Sequence, residues 1–528
     1  MQNLLRSQSA RENAFVLFLY FLLAAFLSPH HRYYIHLADT FEYLVIADDY
    51  SKGFFAEAVN SYWSPLFSWL LAGFLKTGAE PFLAIQILQV LTGAVALLGI
   101  FALIPFRNDQ RLLFFLFHFS FAILILSFAL LVATPDLLLL TLSIWYLVLI
   151  SRKDIYPGRK YSFLLLGLAG ALLYFSKGAG FIFFLLSFTA VNLFLYFHAD
   201  SDKRQLLIKY FSTLIVFMAV SLCWIIPISV KENKLQFSSA PAYNFNLIGP
   251  AANPQVLGEI HHPYEWNGLI APPHAHSLNA WEEPQNLKLE HWSPLDSRAN
   301  LIHYLKILLR NIWSIQAYYF GLDAGAILIL GLIFLWIRKP AELRLIFSEG
   351  AVPLLIAFSC TLPYIFVLVM DRHIWINYAV LGILSVLVFN ALFMYRKGVA
   401  IAFMLAFGVL ICLKPVAELL GSRTDYAEIY SEREQFAKYI SGNTASLSPQ
   451  DDIGSINYTQ SAYINYLCGS KYYGMISVPQ QQTAMAEELK KNHISYLFSR
   501  SRYYRLPDSL YLEQKVFPKS RVKVYKLK

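Results

Sequence analysis

The chain has 528 residues, is 57% hydrophobic and only 15% charged, and carries a net charge of +9. Soluble domains run at roughly 25% charged residues, so a water-soluble enzyme, a disordered chain and a fibrous repeat are excluded. In a chain this apolar, the excess of Lys and Arg reads as membrane topology and not as a nucleic-acid surface.

The apolar blocks predict about eleven membrane spans, near 13–29, 81–105, 112–132, 136–151, 162–176, 179–197, 211–230, 322–337, 351–369, 378–395 and 399–414. Arg6 and Arg11 precede the first block and no small-residue cleavage site follows it, so it reads as a retained signal anchor. Segment 64–77 is apolar but short and carries Pro65, which predicts a helix lying at the interface. With the N-terminus inside, sixteen Lys and Arg fall in short cytoplasmic segments and five in the opposite loops. This asymmetry supports the orientation. Loop 231–321 and the tail from about 416 then lie outside. The tail predicts helices at 426–440, 460–467 and 483–491 and strands at 452–457, 494–498 and 521–526. Alternating helices and strands imply a small α/β domain. The expected organisation is a membrane domain over 1–415, which includes outer loops 30–80 and 231–321, and an extracytoplasmic domain over 416–528.

Four motifs carry candidate chemistry. The first outer loop holds Asp39, Glu42, Asp48 and Asp49, with Tyr43 beside them. Asp39, Glu42 and Tyr43 share one face of a helix at i, i+3 and i+4. A carboxylate at the membrane surface is placed to act as a general base; a solvated acidic loop has the same spacing. Next, Thr134-Pro135-Asp136 breaks one apolar block, and the block after it is short for a span. A recessed acid of this kind faces a wet cavity, and an acid at a helix start also serves as an N-cap. Lys177 follows a second short span, where a lysine neutralises a phosphate or snorkels to the surface. Finally, Asp371-Arg372-His373 lies between two spans. An arginine there grips a phosphate in bidentate fashion or pairs with Asp371 at the surface. All four motifs lie at span ends on one predicted side. Spans that gather these ends would form one pocket for a phosphate and a hydroxyl.

The order Ala38-Asp39-Thr-Phe-Glu-Tyr43, Tyr62-Trp63-Ser64-Pro65, Thr134-Pro135-Asp136, Phe175-Ser-Lys177-Gly178 and Asp371-Arg372-His373 resembles the polytopic glycosyltransferases of the GT-C class. The nearest group is the protein-mannosyltransferase-like and aminoarabinose-transferase-like enzymes. The resemblance covers the first ten spans. It implies an α-helical polytopic fold and inverting transfer of a sugar from a polyprenyl-phosphate donor to a glycan, lipid or protein acceptor. It places the reaction on the outer face of a bacterial inner membrane. Asp39 and Asp136 take the catalytic positions. Glu42, Tyr43, Tyr62, Trp63, Lys177, Arg372 and His373 take substrate-binding positions, with Lys177 and Arg372 near the carrier phosphate. Two positions depart from the pattern: Thr40 stands where an acid often follows the first Asp, and Ser64 where some relatives carry lysine.

Other residues give weaker signals. Cys223, Cys360, Cys412 and Cys468 show neither disulfide nor zinc spacing. The long outer loop holds His261, His262, His274, His276 and His291 with Trp266, Trp281 and Trp292. These read as surface, interface or acceptor-contact residues. No cofactor is fixed, and a divalent metal is left open. Asn457-Tyr-Thr459 matches a glycosylation triplet. A transporter or flippase of a lipid-linked glycan is the alternative to the enzyme. It would place acids mid-span and show internal repeats, and the sequence has few mid-span charges and no repeat. A third reading is a structural subunit whose tail binds a partner.

Overall fold

The computed structural model describes residues 2–32, 39–105, 110–152, 156–198, 202–253, 268–274, 276–321, 324–421, 452–455, 466, 471–475, 482–499, 508–517 and 522–528. The expected helix at 426–440, most of the one at 460–467, the glycosylation triplet, Cys468, His261, His262 and Trp266 lie outside these residues. The chain forms two compact units. One comprises Met1–Arg32, Ile85–Val230 and Ile307–Ser422; the other comprises Tyr33–Ala84, Lys231–Lys306 and Arg423–Lys528.

The first unit is a helical bundle. Among the described residues, eight helices are long and apolar enough to cross a membrane: Ala10–His31, Pro81–Leu103, Arg111–Leu131, Ala179–His198, Lys203–Lys231, Pro340–Ile365, Ile376–Tyr395 and Lys397–Gly421. The chain is a multi-pass membrane protein. The remaining three expected spans are also helical. Asp136–Ser151 and Ser162–Ser176 have 16 and 15 residues, and Ala324–Arg338 follows the helix Arg298–Gly321 across an 86° bend. That preceding helix was hidden in what reads as a loop, although Leu301, Leu305, Leu309 and Ile312 recur at helical spacing. Helix Arg111–Leu131 is the most enclosed of the long ones. Its face Phe114, Phe117, Phe121, Leu124 and Phe128 is almost wholly buried, and the helices 2–31 and 397–421 pack on it.

In the second unit, the helix Asp39–Lys52 packs on Pro65–Leu75, and the Ser68 hydroxyl donates to the Tyr43 carbonyl at 3.0 Å. Pro65 occupies the first helical position, where its missing N–H costs nothing. The tail forms a five-stranded sheet of β1 (Asp452–Ser455), β2 (Lys471–Met475), β3 (Ile494–Ser499), β4 (Tyr511–Phe517) and β5 (Val522–Leu527), in the order β2-β1-β3-β5-β4. β1 runs parallel to β2 and β3, and β5 runs antiparallel to β3 and β4. Helix Gln482–Lys491 lies between β2 and β3 in the chain, and its Leu489 joins Ile494, Leu497 and Tyr525 in a small core. β1, β3, β5 and this helix match the sequence pattern. β2 and β4 were not legible, because Gly474 interrupts one and Glu-Gln-Lys fills the middle of the other.

Candidate functional site

Asp136, Lys177, Arg372 and His373 meet in the first unit, each carried there by a local break. The chain leaves Arg111–Leu131 at Val132, and the Gln89 amide donates to the carbonyls of Val132 at 3.0 Å and Thr134 at 2.8 Å. Pro135 then starts the helix Asp136–Ser151, with Asp136 in its first turn, where unpaired N–H groups favour an anion. Lys177 ends the helix Ser162–Ser176 in extended backbone, and Ala179–His198 begins two residues later. The reversal is so tight that a Cβ on Gly180 would lie 2.1 Å from the Leu173 carbonyl oxygen, so only glycine fits. Arg372 and His373 sit on the 3-10 turn Asp371–Ile374. Asp371 does not take Arg372; it accepts from Trp375 Nε1 at 3.1 Å and the Tyr378 hydroxyl at 2.5 Å. Trp375 in turn lies flat on Phe128, with ring centres 3.8 Å apart.

The three charges form one cluster. Lys177 Nζ lies 2.5 Å from Asp136 Oδ1 and Arg372 Nη1 lies 3.7 Å from Oδ2. Thr134 Oγ1 donates to the same carboxylate at 2.6 Å. The Asp136 side chain is 1% exposed, whereas Lys177 and Arg372 keep 22% and 14%. The anion is thus buried behind two partly open cations. His373 adds no charge: burial, then the Lys177 cation, holds its pKa well below the ordinary histidine range. Its ring stacks on Tyr364 at 4.4 Å. A small crevice beside the cluster is lined by Asp136, Ser143, Cys360, Arg372, His373 and Trp375.

Helix length explains why charges are tolerated at this end. Sixteen residues rise about 24 Å, short of a hydrocarbon core of about 30 Å. The opposite ends of this helix and of Ser162–Ser176 adjoin Arg152, Arg159 and Lys160. Those residues belong at the water interface, so the shortfall lies at Asp136 and Lys177.

The remaining predicted residues lie in the second unit. Asp39 opens the helix Asp39–Lys52, half-buried. Glu42, one turn on, is fully buried, and both of its carboxylate oxygens accept from the Asn279 amide, at 3.1 and 3.2 Å. Tyr43 meets Trp63 edge-on at 5.1 Å, and Trp63 in turn meets Tyr62 and Trp281 at 4.6 and 6.0 Å. Asn60 orders this group: its side-chain oxygen accepts from the backbone N–H of Tyr62 and Trp63, at 2.8 and 3.0 Å. Trp63 and Trp281 are buried, while Tyr62 is partly open.

Sequence reasoning missed Asn279, Glu282 and the role of Asp49. Asn279-x-x-Glu282 is a readable capping-box signature, and the box is formed at the 3-10 turn Ala280–Glu282. Burial holds the Glu282 carboxyl well above the usual range, against N–H donors from Leu278 and Asn279 at 2.5 and 3.2 Å. Burial, helped by the neighbouring Asp48, also pushes the Asp49 carboxyl up to about 7. An acid raised in the fold favours folding less as pH rises. Between about 4, the ordinary carboxylate value, and 7, stability therefore falls, and the full cost persists above. Asp49→Asn is expected to stabilise the protein by about 2 kcal/mol at pH 8 and not at pH 4. Melting curves in detergent at the two pH values check this.

The three described loop histidines have separate partners. His276 stacks on Phe54 at 3.9 Å, His291 faces the Asn246 amide at 3.1 Å and His274 lies 3.8 Å from Glu282. Trp292 stacks on Phe245 at 5.0 Å. Among the described residues, no three His, Cys, Asp or Glu side chains are grouped to hold a metal ion.

No protein-family profile and no curated protein sequence matches the chain. Solved structures do. ArnT from Cupriavidus metallidurans bound to undecaprenyl phosphate superposes with a TM-score of 0.55 at 11% identity, covering 96% of this chain and 97% of that one. Its apo state gives 0.55 at 12% identity. The oligosaccharyltransferase AglB from Archaeoglobus fulgidus, with an inhibitory peptide and a dolichol-phosphate, gives 0.51 at 12% identity, covering 92% of this chain and 69% of that one. An all-helical bundle, a small C-terminal sheet and these neighbours together show that the chain has the fold of the GT-C glycosyltransferases.

Proposed function

We propose that the chain transfers a sugar from a polyprenyl-phosphate carrier to an acceptor hydroxyl, with inversion, on the outer face of the cytoplasmic membrane. The carrying observation is the pair of partly open cations, Lys177 and Arg372, set over the buried Asp136. Both cations keep part of their surface open beside the buried carboxylate, a setting that suits an approaching anion. A phosphate diester becoming a leaving phosphate monoester gains negative charge, so fixed cations stabilise the transition state more than the ground state. ArnT and AglB hold undecaprenyl phosphate and dolichol-phosphate, the same class of ligand.

In this reading the acceptor attacks the anomeric carbon while the bond from that carbon to the phosphate oxygen breaks. Asp39 takes the acceptor proton, and the carrier phosphate leaves toward Lys177 and Arg372. Asp136 positions the two cations. His373, neutral, lines the crevice without competing for the phosphate. Tyr62 offers a partly open ring to the sugar, backed by Tyr43 and Trp63. The N-terminus lies in the cytoplasm and the tail outside. The acceptor is a glycan, a lipid or a protein.

The test uses purified protein in detergent with a radiolabelled undecaprenyl-phosphate sugar and a mixed membrane extract as acceptor. Transfer of label, inhibited by undecaprenyl phosphate, is the expected result. Arg372→Ala is expected to weaken that inhibition by about 10- to 100-fold, the loss of one charge-assisted contact. Binding of the lipid without turnover over a range of sugars would overturn the enzyme reading in favour of a transporter.

A further inference from the structure

The helix that carries Asp39 is tied to the tail sheet by a continuous set of contacts within the second unit. One segment meets the edge strand β2 through two stretches, 268–270 and 278–279. The Leu269 N–H donates to Glu488 Oε1 at 2.8 Å, the Ile270 N–H to the Tyr473 carbonyl at 2.7 Å, and the Tyr472 N–H to the Leu278 carbonyl at 2.6 Å. Asn279 pairs with Tyr472 as a parallel bridge. Leu269 packs against the sheet core. At the far end, Gly268 adopts φ +78°, and a Cβ there would meet Glu488 Oε1 at 2.4 Å. The segment is thus fitted to the tail at both ends. Its last residue, Asn279, is 2% exposed. The Asn279 amide is fully used: Oδ1 accepts from the Trp281 N–H at 2.7 Å, and Nδ2 donates to both oxygens of Glu42.

We infer that Asn279 is a positioning residue for the first-loop acid: it clamps Glu42, fixes the helix Asp39–Lys52, and takes its own register from the tail strand β2. The inference rests on the reading of Asp39 as the general base. Glu42 and Asp39 are three residues apart on one helix, so a shift of the clamp is transmitted to Asp39 with no intervening joint. A buried carboxylate facing an amide donor is directional: an acceptor in place of the amide would repel it.

The experiment has two independent readouts on the full-length protein: transfer kinetics, and hydrogen exchange of the 39–52 backbone followed by mass spectrometry. Asn279→Asp sets a carboxylate against Glu42. Exchange in 39–52 is expected to rise, and kcat to fall about 10- to 100-fold with the donor KM little changed. Combining it with Glu42→Gln reverses donor and acceptor, and both readouts are expected to recover at least in part. Tyr472→Pro removes the N–H that holds Leu278 and is expected to raise exchange in 39–52 from the tail side. Where that variant does not fold, Glu488→Ala loosens the same segment at Leu269. Unchanged exchange in Asn279→Asp, or no recovery of exchange in the swapped pair, would overturn the inference. A wild type without transferase activity would instead overturn the enzymatic reading, and the exchange result would still decide the clamp.

Discussion

Lys177→Met is expected to destabilise the protein by about 3 kcal/mol, because it strips the nearest counter-charge from a carboxylate that is 1% exposed. Arg372, 3.7 Å away, and the Thr134 hydroxyl remain, so the loss is partial and folding survives. Adding Asp136→Asn removes the stranded charge and is expected to recover most of the stability. It is not expected to recover binding of undecaprenyl phosphate, which needs the cation. Melting curves in detergent and a lipid-binding titration separate the two effects. A Lys177→Met protein as stable as wild type would mean that the pair contributes no net stability.

Asp39→Asn has the larger expected effect on turnover, a fall of about 10²- to 10⁴-fold with donor binding unchanged. The amide keeps the size and polarity of the carboxyl and loses its capacity to accept a proton. Asp39→Glu is expected to fall between the two, because the base remains but is displaced. Steady-state transfer beside the lipid titration checks this. An active Asp39→Asn enzyme would remove Asp39 from the proton transfer and leave the phosphate cluster untouched as a proposal.

The membrane helices were legible because bilayer thickness imposes a length and a hydropathy that few other structures share. The same rule exposed Asp136 and Lys177, since each borders an apolar block too short to cross. It did not reveal that Lys177 and Arg372 share one carboxylate, or that Asp371 turns to Trp375 and Tyr378 instead. Such pairings depend on which helices touch. The Asn279–Glu42 clamp was hidden for the same reason, its members lying 237 positions apart in the chain. In the tail, β1, β3 and β5 carried a readable pattern. β4 did not, as an edge strand that leaves Leu512 and Val516 exposed, where no buried face enforces alternation.

The two short helices also bear on biogenesis. Neither Asp136–Ser151 nor Ser162–Ser176 spans the hydrocarbon at full length, and each alone would bring an uncompensated charge into it. Paired, the tips neutralise one another, and the Arg and Lys at the connecting turn stay at the surface. Their partition from the insertion machinery into lipid is therefore favoured as a preassembled hairpin and opposed one helix at a time.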